Sequence, residues 1–309
     1  MDFSNVLLFN LHPDYSLGKN ISAELGIPIS PSKVTRFADG EIFIKPLVSV
    51  KDKIVFVTQS ICSPVNTRVM ETLIFTSACK LNGAKEVILL VPYLAYSRQD
   101  RIIEEGDPIS AKLFADLLYA AGVDRIVSAD LHNAKIPTFF NIPIINLNPL
   151  PLLADTIRKQ LLEMGIGNNE ICVVSPDKGS INRAKVFSSL LPGSSVAYMD
   201  KYRPKPNEAI VTDLHGDVRG KKCIIVDDMI DTGGTVMACS NFLVQNGCDG
   251  IAVGATHGIF SNEAIQKLYL SHIHNIIISD SIDVNYEDTF VFTLAPLYAM
   301  YMSDYLKSK

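Results

Sequence analysis

Residues 226–235 read Val226-Asp227-Asp228-Met229-Ile230-Asp231-Thr232-Gly233-Gly234-Thr235. The run before them, Cys223-Ile224-Ile225-Val226, has the length and composition of a buried strand. The segment after them, Val236 to Gly247, carries apolar residues at Val236, Cys239, Phe242 and Leu243, the spacing of a helix, with Gly247 as its stop. Two acids therefore stand at the carboxyl end of a strand, ahead of a Gly- and Thr-bearing turn into a helix N-terminus. Ligands of open α/β sheets bind at that edge. The turn's N–H groups and the helix start make an anion site, Gly233 and Gly234 admit a phosphate close to the backbone, and Thr232 and Thr235 add hydroxyl donors. Two carboxylates beside such a cradle repel the phosphate itself but suit sugar hydroxyls or a Mg²⁺-sugar complex. An acidic strand–turn–helix junction without a ligand is the plainer alternative.

Outward from this stretch the chain alternates strands and helices. Strands are predicted at Val6–Phe9, Ile54–Thr58, Glu86–Val91 and Arg125–Ser128, with helices at Leu17–Leu25, Val65–Leu81 and Ala111–Ala121. Gly26, Asn82-Gly83 and Gly122 close those helices. The pattern then restarts, with a helix at Leu152–Met164 and strands at Ile171–Ser175, Val196–Tyr198, Cys223–Val226, Ile251–Ala255 and Ile276–Ser279. A helix at Asn262–Leu270 separates the last two. Such alternation predicts an α/β fold of mainly parallel sheets flanked by helices. Asn146-Leu147-Asn148-Pro149-Leu150-Pro151 has the composition of a linker, and a domain boundary is placed there.

At 309 residues the chain suffices for two ordinary domains. A net charge of −5 argues against a broad nucleic-acid surface. The longest apolar runs, such as Val87 to Tyr96, span about half a membrane, and residues 1–5 lack the basic start of a signal peptide. The six scattered cysteines form no C-x-x-C pair and read as buried thiols of a reducing compartment. These features predict a soluble, cytoplasmic protein with no membrane or nucleic-acid partner.

Other stretches carry chemistry more weakly. Thr35-Arg36-Phe37-Ala38-Asp39-Gly40-Glu41 alone is an ordinary surface turn. Tyr93, Tyr96, Arg98 and Arg101 follow a strand, where they suit base stacking and phosphate pairing. Asp130-Leu131-His132 follows another strand and places Asp130 and His132 to share a metal or a water. Ser175-Pro176-Asp177-Lys178-Gly179-Ser180 brings a further carboxylate to a strand end. Asp200-Lys201-Tyr202-Arg203-Pro204-Lys205-Pro206-Asn207 reads as an exposed loop whose Lys201 and Arg203 can swing over a polyphosphate. No G-x-x-x-x-G-K-[ST] occurs, which excludes a P-loop kinase.

In this order the stretches resemble the ribose-phosphate pyrophosphokinase, or phosphoribosyl pyrophosphate (PRPP) synthetase, family over nearly the whole chain. The matching series is F-x-D-G-E at Phe37–Glu41, R-Q-D-R at Arg98–Arg101, D-L-H at Asp130–His132, S-P-D-x-G at Ser175–Gly179, D-K-x-R-P at Asp200–Pro204, and the Asp227–Thr235 motif. A simple phosphoribosyltransferase shares only the last and is shorter.

The resemblance implies two type I phosphoribosyltransferase-type domains, 1–146 on the ATP side and 147–309 on the ribose 5-phosphate side. It implies transfer of the diphosphoryl group of Mg-ATP to the C1 hydroxyl of ribose 5-phosphate, yielding PRPP and AMP for nucleotide biosynthesis. Phe37, Asp39, Gly40 and Glu41 would meet adenine across a subunit interface of a homodimer or hexamer, and Arg98, Gln99, Asp100 and Arg101 would complete the ATP site. His132, Asp177 and Asp130 would serve Mg²⁺. Asp227 and Asp228 would hold the ribose hydroxyls, and Asp231, Thr232, Gly233, Gly234 and Thr235 the 5-phosphate. Lys201 and Arg203 would neutralise charge on the transferred group, with Arg203 also reaching ribose 5-phosphate. The chain departs from the family at Ser180, where Gly is common, and at Asn141 and Ile145, where Asp is. A non-catalytic regulatory homologue is the alternative within the family; the presence of Lys201, Arg203, His132 and Asp177 favours an enzyme.

Overall fold

The computed structural model describes residues 3–202, 210–283 and 286–309, with backbone alone for Lys201, Tyr202 and Ile210. The chain forms two compact units, one of Met1–Asn148, Ser281–Asp283 and Thr293–Lys309, the other of Pro149–Asp280 and Val284–Phe292. A single cut after residue 146 put everything downstream in the second domain; the units divide at Asn148/Pro149, and the C-terminal segment returns to the first.

In the first unit β1 (Val6–Asn10), β4 (Ile54–Thr58), β5 (Glu86–Leu90), β6 (Arg125–Ala129) and β7 (Ile144–Leu147) pair in that order, all parallel. Every residue of β4 is buried, which is why its sequence is continuously apolar rather than alternating. Helices α1 (Ser16–Leu25), α2 (Val65–Leu81) and α3 (Ser110–Ala120) link the strands. Gly26 ends α1 in the left-handed conformation, φ 66°, as the glycine stop predicts. A separate antiparallel hairpin, β2 (Ser32–Arg36) with β3 (Ile42–Pro46), rests on α2.

The last helix of the chain, α8 (Ala295–Lys307), packs against α1 and buries Ala295, Tyr298, Ala299 and Met302. Tyr305 lies edge-on to Phe56 with ring centroids 6.3 Å apart, its hydroxyl donates to Glu86, and the Arg125 guanidinium stands 5.1 Å over its ring. The Ser281 carbonyl accepts from the Tyr15 and Ser60 hydroxyls at 2.8 and 2.7 Å. These contacts tie the C-terminal segments to the first sheet.

The second unit contains α4 (Leu150–Glu163), β8 (Ile171–Ser175), α5 (Ile181–Ser189), β9 (Ser195–Tyr202), β10 (Ile210–His215), β11 (Lys222–Ile230), α6 (Gly234–Gln245), β12 (Gly250–Gly258), α7 (Ala264–Tyr269), β13 (Asn275–Ser279) and β14 (Thr289–Phe292). Its strands pair in the order β10-β9-β8-β11-β12-β13-β14, parallel except for β10 against β9. The core lies along β8, β11, β12 and β13 under α6 and α7.

Two expectations change here. The strand expected to stop at Val226 runs on to Ile230, because β12 continues to pair with it through Gly258. The loop expected from Asp200 starts as strand instead, since β9 extends to Tyr202 and pairs Lys201 with Val211. Arg203 to Asn207 lie outside the described residues. All six cysteines are free, four of them buried. Among the described residues no helix is long and apolar enough to cross a membrane.

Candidate active site

In the second unit the pairing of β8 with β11 ends at Ile225, while β11 continues to Ile230 beside β12. This overhang lies at the carboxyl end of β11, and it carries Asp227 and Asp228. Asp228 is buried. The Asp227 carboxylate accepts from the Asp228 N–H at 2.9 Å and from the Ser180 hydroxyl at 3.4 Å. Burial, then the nearby carboxylates of Asp228 and Asp177, push Asp227 well above the usual carboxylate range, against a smaller pull from Arg183. An acid pair so placed is a site waiting for a cation or for hydroxyl donors.

The turn Asp231–Gly233 leads straight into α6. Gly233 caps the helix at φ 75°, a conformation glycine adopts without strain. Gly233 has no side chain to cap this helix start, which suits its first-turn N–H groups to an anion. The structure thus joins the anion cradle and the acid pair at the carboxyl edge of one sheet. Asp177 follows β8 and caps a short 3₁₀ turn, accepting the Ser180 N–H at 3.0 Å. Ser180, a departure from the family pattern, bridges that turn to Asp227.

In the first unit Phe37, Asp39, Gly40 and Glu41 form the tip of the β2–β3 hairpin. Glu41 O accepts from Phe37 N–H at 2.9 Å, the Asp39 carboxylate accepts from Glu41 N–H at 3.1 Å, and Gly40 has φ 97°. Phe37 is 55% exposed, so much of its ring is open to a ligand or a partner. Sequence alone missed what anchors this hairpin. Glu71 of α2 is buried and takes Arg36 at 3.2 Å, Arg68 at 3.1 Å and the Gln59 amide at 3.3 Å. Removing its charge leaves those donors underused. Glu71→Gln is expected to destabilise the protein by about 2 kcal/mol, read as a lower midpoint in urea unfolding; an unchanged midpoint would show that the ion cluster contributes nothing.

The R-Q-D-R and D-L-H stretches meet within the first unit. Asn133 donates to Asp100 at 2.7 Å, the Ser110 hydroxyl donates to the Gln99 amide oxygen at 2.5 Å, and Arg98 and Arg101 are exposed. Asp130, buried at the end of β6, and Tyr96, after β5, both take φ values of the left-handed region, 49° and 63°. Backbone strain of this kind concentrates at functional sites. His132 is exposed. Among the described residues no three His, Cys, Asp or Glu side chains gather around a point that could hold a metal ion; Asp130 and His132 belong to one unit, Asp177 to the other.

The family model described as the N-terminal domain of ribose phosphate pyrophosphokinase matches residues 6–122, and that of the phosphoribosyl synthetase-associated domain matches residues 192–289. A ribose-phosphate pyrophosphokinase of Caldanaerobacter subterraneus is 41% identical over 300 residues, 96% of this chain and 93% of that protein. The chain belongs to the ribose-phosphate pyrophosphokinase family. A second family member, from Fusobacterium nucleatum, is 40% identical over 282 residues, 91% of this chain and 88% of its own. The crystal structure of phosphoribosylpyrophosphate synthetase from Mycobacterium smegmatis superposes with a TM-score of 0.89 at 34% identity, covering 99% of this chain and all of that one. The two-domain α/β architecture expected of a pyrophosphokinase is the one observed, with the division between its parts shifted as described.

Proposed function

We propose that the protein transfers the diphosphoryl group of Mg-ATP to the C1 hydroxyl of ribose 5-phosphate, giving PRPP and AMP for nucleotide biosynthesis in the cytoplasm. The observation that carries this is the N-terminus of α6, which begins at a glycine cap, beside the Asp227–Asp228 pair. The first suits a sugar phosphate and the second the hydroxyls of the same sugar, so one molecule satisfies both. The N–H groups from Thr232 to Thr235 hold the 5-phosphate, and Asp227 and Asp228 orient the ring so that C1 faces outward.

The donor set fits Mg²⁺. Asp177, Asp227 and Asp228 offer hard carboxylate oxygens, and the crowding by Asp228 and Asp177 that helps raise Asp227 is what a cation would relieve. Mg²⁺ typically takes one or two carboxylates and completes its shell with substrate phosphates and water, so an all-protein cage is not needed. His132 and Asp130 of the first unit would serve the ion on ATP, and Asp177 of the second unit would offer it a further carboxylate. The metal supplies charge neutralisation of the polyphosphate when bound.

On the ATP side, Arg98 and Arg101 face the phosphates, Gln99 and Asp100 are held by Ser110 and Asn133, and Phe37, Asp39, Gly40 and Glu41 receive adenine. The exposed Phe37 ring supports an ATP site shared between subunits of a homo-oligomer. Lys201 and Arg203 neutralise charge on the group in transfer. Diphosphoryl transfer depends on positioning and charge more than on covalent help, which this inventory matches. Product analysis tests the proposal: ATP with ribose 5-phosphate is expected to give AMP and PRPP in equal amounts. ADP as product, or AMP formed regardless of ribose 5-phosphate, would refute it.

A further inference from the structure

The turn after β8 grips the β9–β10 ribbon through charges that substrate binding does not use. Lys178 Nζ lies 2.9 Å from Asp200 Oδ2. His215 Nε2 stands 3.4 Å from the same oxygen and 3.7 Å from Asp213 Oδ2. Tyr198 and His215 are cross-strand partners whose rings stack at 4.5 Å and 17°. Asp200 and Asp213 are likewise cross-strand partners. With a side-chain period of two, Tyr198, Asp200, Asp213 and His215 share one face of the ribbon.

The ribbon is irregular at this point. Its register shifts between Val211 and Asp213, and the Thr212 hydroxyl bonds the Asp200 carbonyl at 3.2 Å. A bulge bends and twists the strand that carries it, so the direction of the strand beyond depends on what holds the bulge. Thr212 bonds the Asp200 backbone at the bulge, and Lys178 braces the Asp200 side chain beside it. Lys178 immediately follows Asp177, and Asp200 immediately precedes Lys201, so the ion pair spans the two segments to which the reaction assigns charge-handling residues.

Stability does not account for the cluster. The Lys178 side chain is 68% exposed, and exposed ion pairs contribute little. Asp200, by contrast, is only 25% exposed, and its Oδ1 and the His215 Nε2 are sealed from water without a hydrogen bond. Sealed polar atoms without partners are costly, and proteins retain such costs mainly where function needs them. The hydrogen bond from Lys178 holds the Asp200 carboxyl below the usual carboxylate range.

We infer that Lys178, Asp200 and His215 are positioning residues for the diphosphoryl transfer, fixing the bulged ribbon, and with it Lys201, against the turn that bears Asp177. The inference rests on the role proposed for Lys201.

A double-mutant cycle on the full-length protein tests it. Lys178→Met is expected to lower kcat roughly tenfold or more, as misplacement of a charge-bearing group does, with KM for both substrates and the melting temperature unchanged. Lys178→Arg, which keeps the charge and reach, should restore kcat to within about threefold of the parent. His215→Phe keeps the stack on Tyr198 and loses the ring nitrogen, and should show the same kcat-only loss in weaker form. In a Lys201→Ala background, Lys178→Met should cost nothing further, because it acts through Lys201. A normal kcat for Lys178→Met beside a crippled Lys201→Ala would overturn the positioning role alone. Additive losses, or a raised KM for ATP, would make Lys178 a substrate ligand and overturn it too. A normal kcat for Lys201→Ala would remove the premise and is visible separately in the same cycle.

Discussion

Lys201→Ala is expected to lower kcat by about a hundredfold or more while ATP affinity stays within a few-fold of the parent. As the bond to AMP breaks, negative charge grows on the bridging oxygen and on the group in transfer. A compact ammonium aimed at that charge acts in the transition state far more than in the ground state. Losing one such donor typically costs on the order of 3 kcal/mol. On β9 the Lys201 backbone pairs with Val211 and is held by the sheet. A lysine that is only a solvated charge would on removal change stability by less than about 0.5 kcal/mol and the rate hardly at all. Steady-state kinetics with ATP binding measured separately decides the matter. A near-normal kcat would exclude Lys201 from the reaction, and parallel losses in kcat and ATP affinity would make it a ground-state ligand.

The second large effect falls on the sugar. Asp228→Ala is expected to weaken ribose 5-phosphate binding by about tenfold to 150-fold, since a hydrogen bond from a hydroxyl to a buried carboxylate contributes roughly 1.5–3 kcal/mol. ATP affinity should change by less than about threefold, because Arg98 and Gln99 belong to the other unit. Equal losses for both ligands, measured by calorimetry, would contradict the assignment.

The same variant carries a pH signature. Asp227 is raised by burial and then by Asp228. A carboxyl raised in the folded state favours folding fully only below its unfolded value, near 4, and that contribution is lost as pH rises through the folded value. The ligand-free parent should therefore lose stability across that interval. Without the Asp228 charge, Asp227 titrates closer to the ordinary range, and the loss should shrink and move to lower pH. Melting temperatures recorded against pH without ligand measure this; an unchanged profile would show that the two acids do not interact.

Local features of the sequence determined much of the architecture. Continuous apolar runs marked β4, β5, β8 and β13, because strands buried on both faces have no polar side to alternate with. Gly26 and Gly233 marked a helix end and a helix start because only glycine takes a positive φ there at no cost. The Asp227–Thr235 series marked the candidate sugar-phosphate site because strand end, tight turn and helix start are contiguous in the chain.

Other features belong to partners distant in sequence, and only the tertiary structure decided them. β11 runs past Val226 because β12 is there to pair with it; a strand's length depends on its neighbour as much as on its own residues. The β2–β3 hairpin holds its place through Glu71, whose partners Arg36, Gln59 and Arg68 come from a hairpin strand, the end of β4 and α2 itself. α8 joins the first unit because Tyr298 and Tyr305 find their partners on β4, β5 and β6. Lys178, Asp200 and His215, each an unremarkable surface charge in the sequence, meet because β8 pairs with β9 and β9 with β10. Charge has no periodicity that announces such a meeting, so contact geometry alone reveals it.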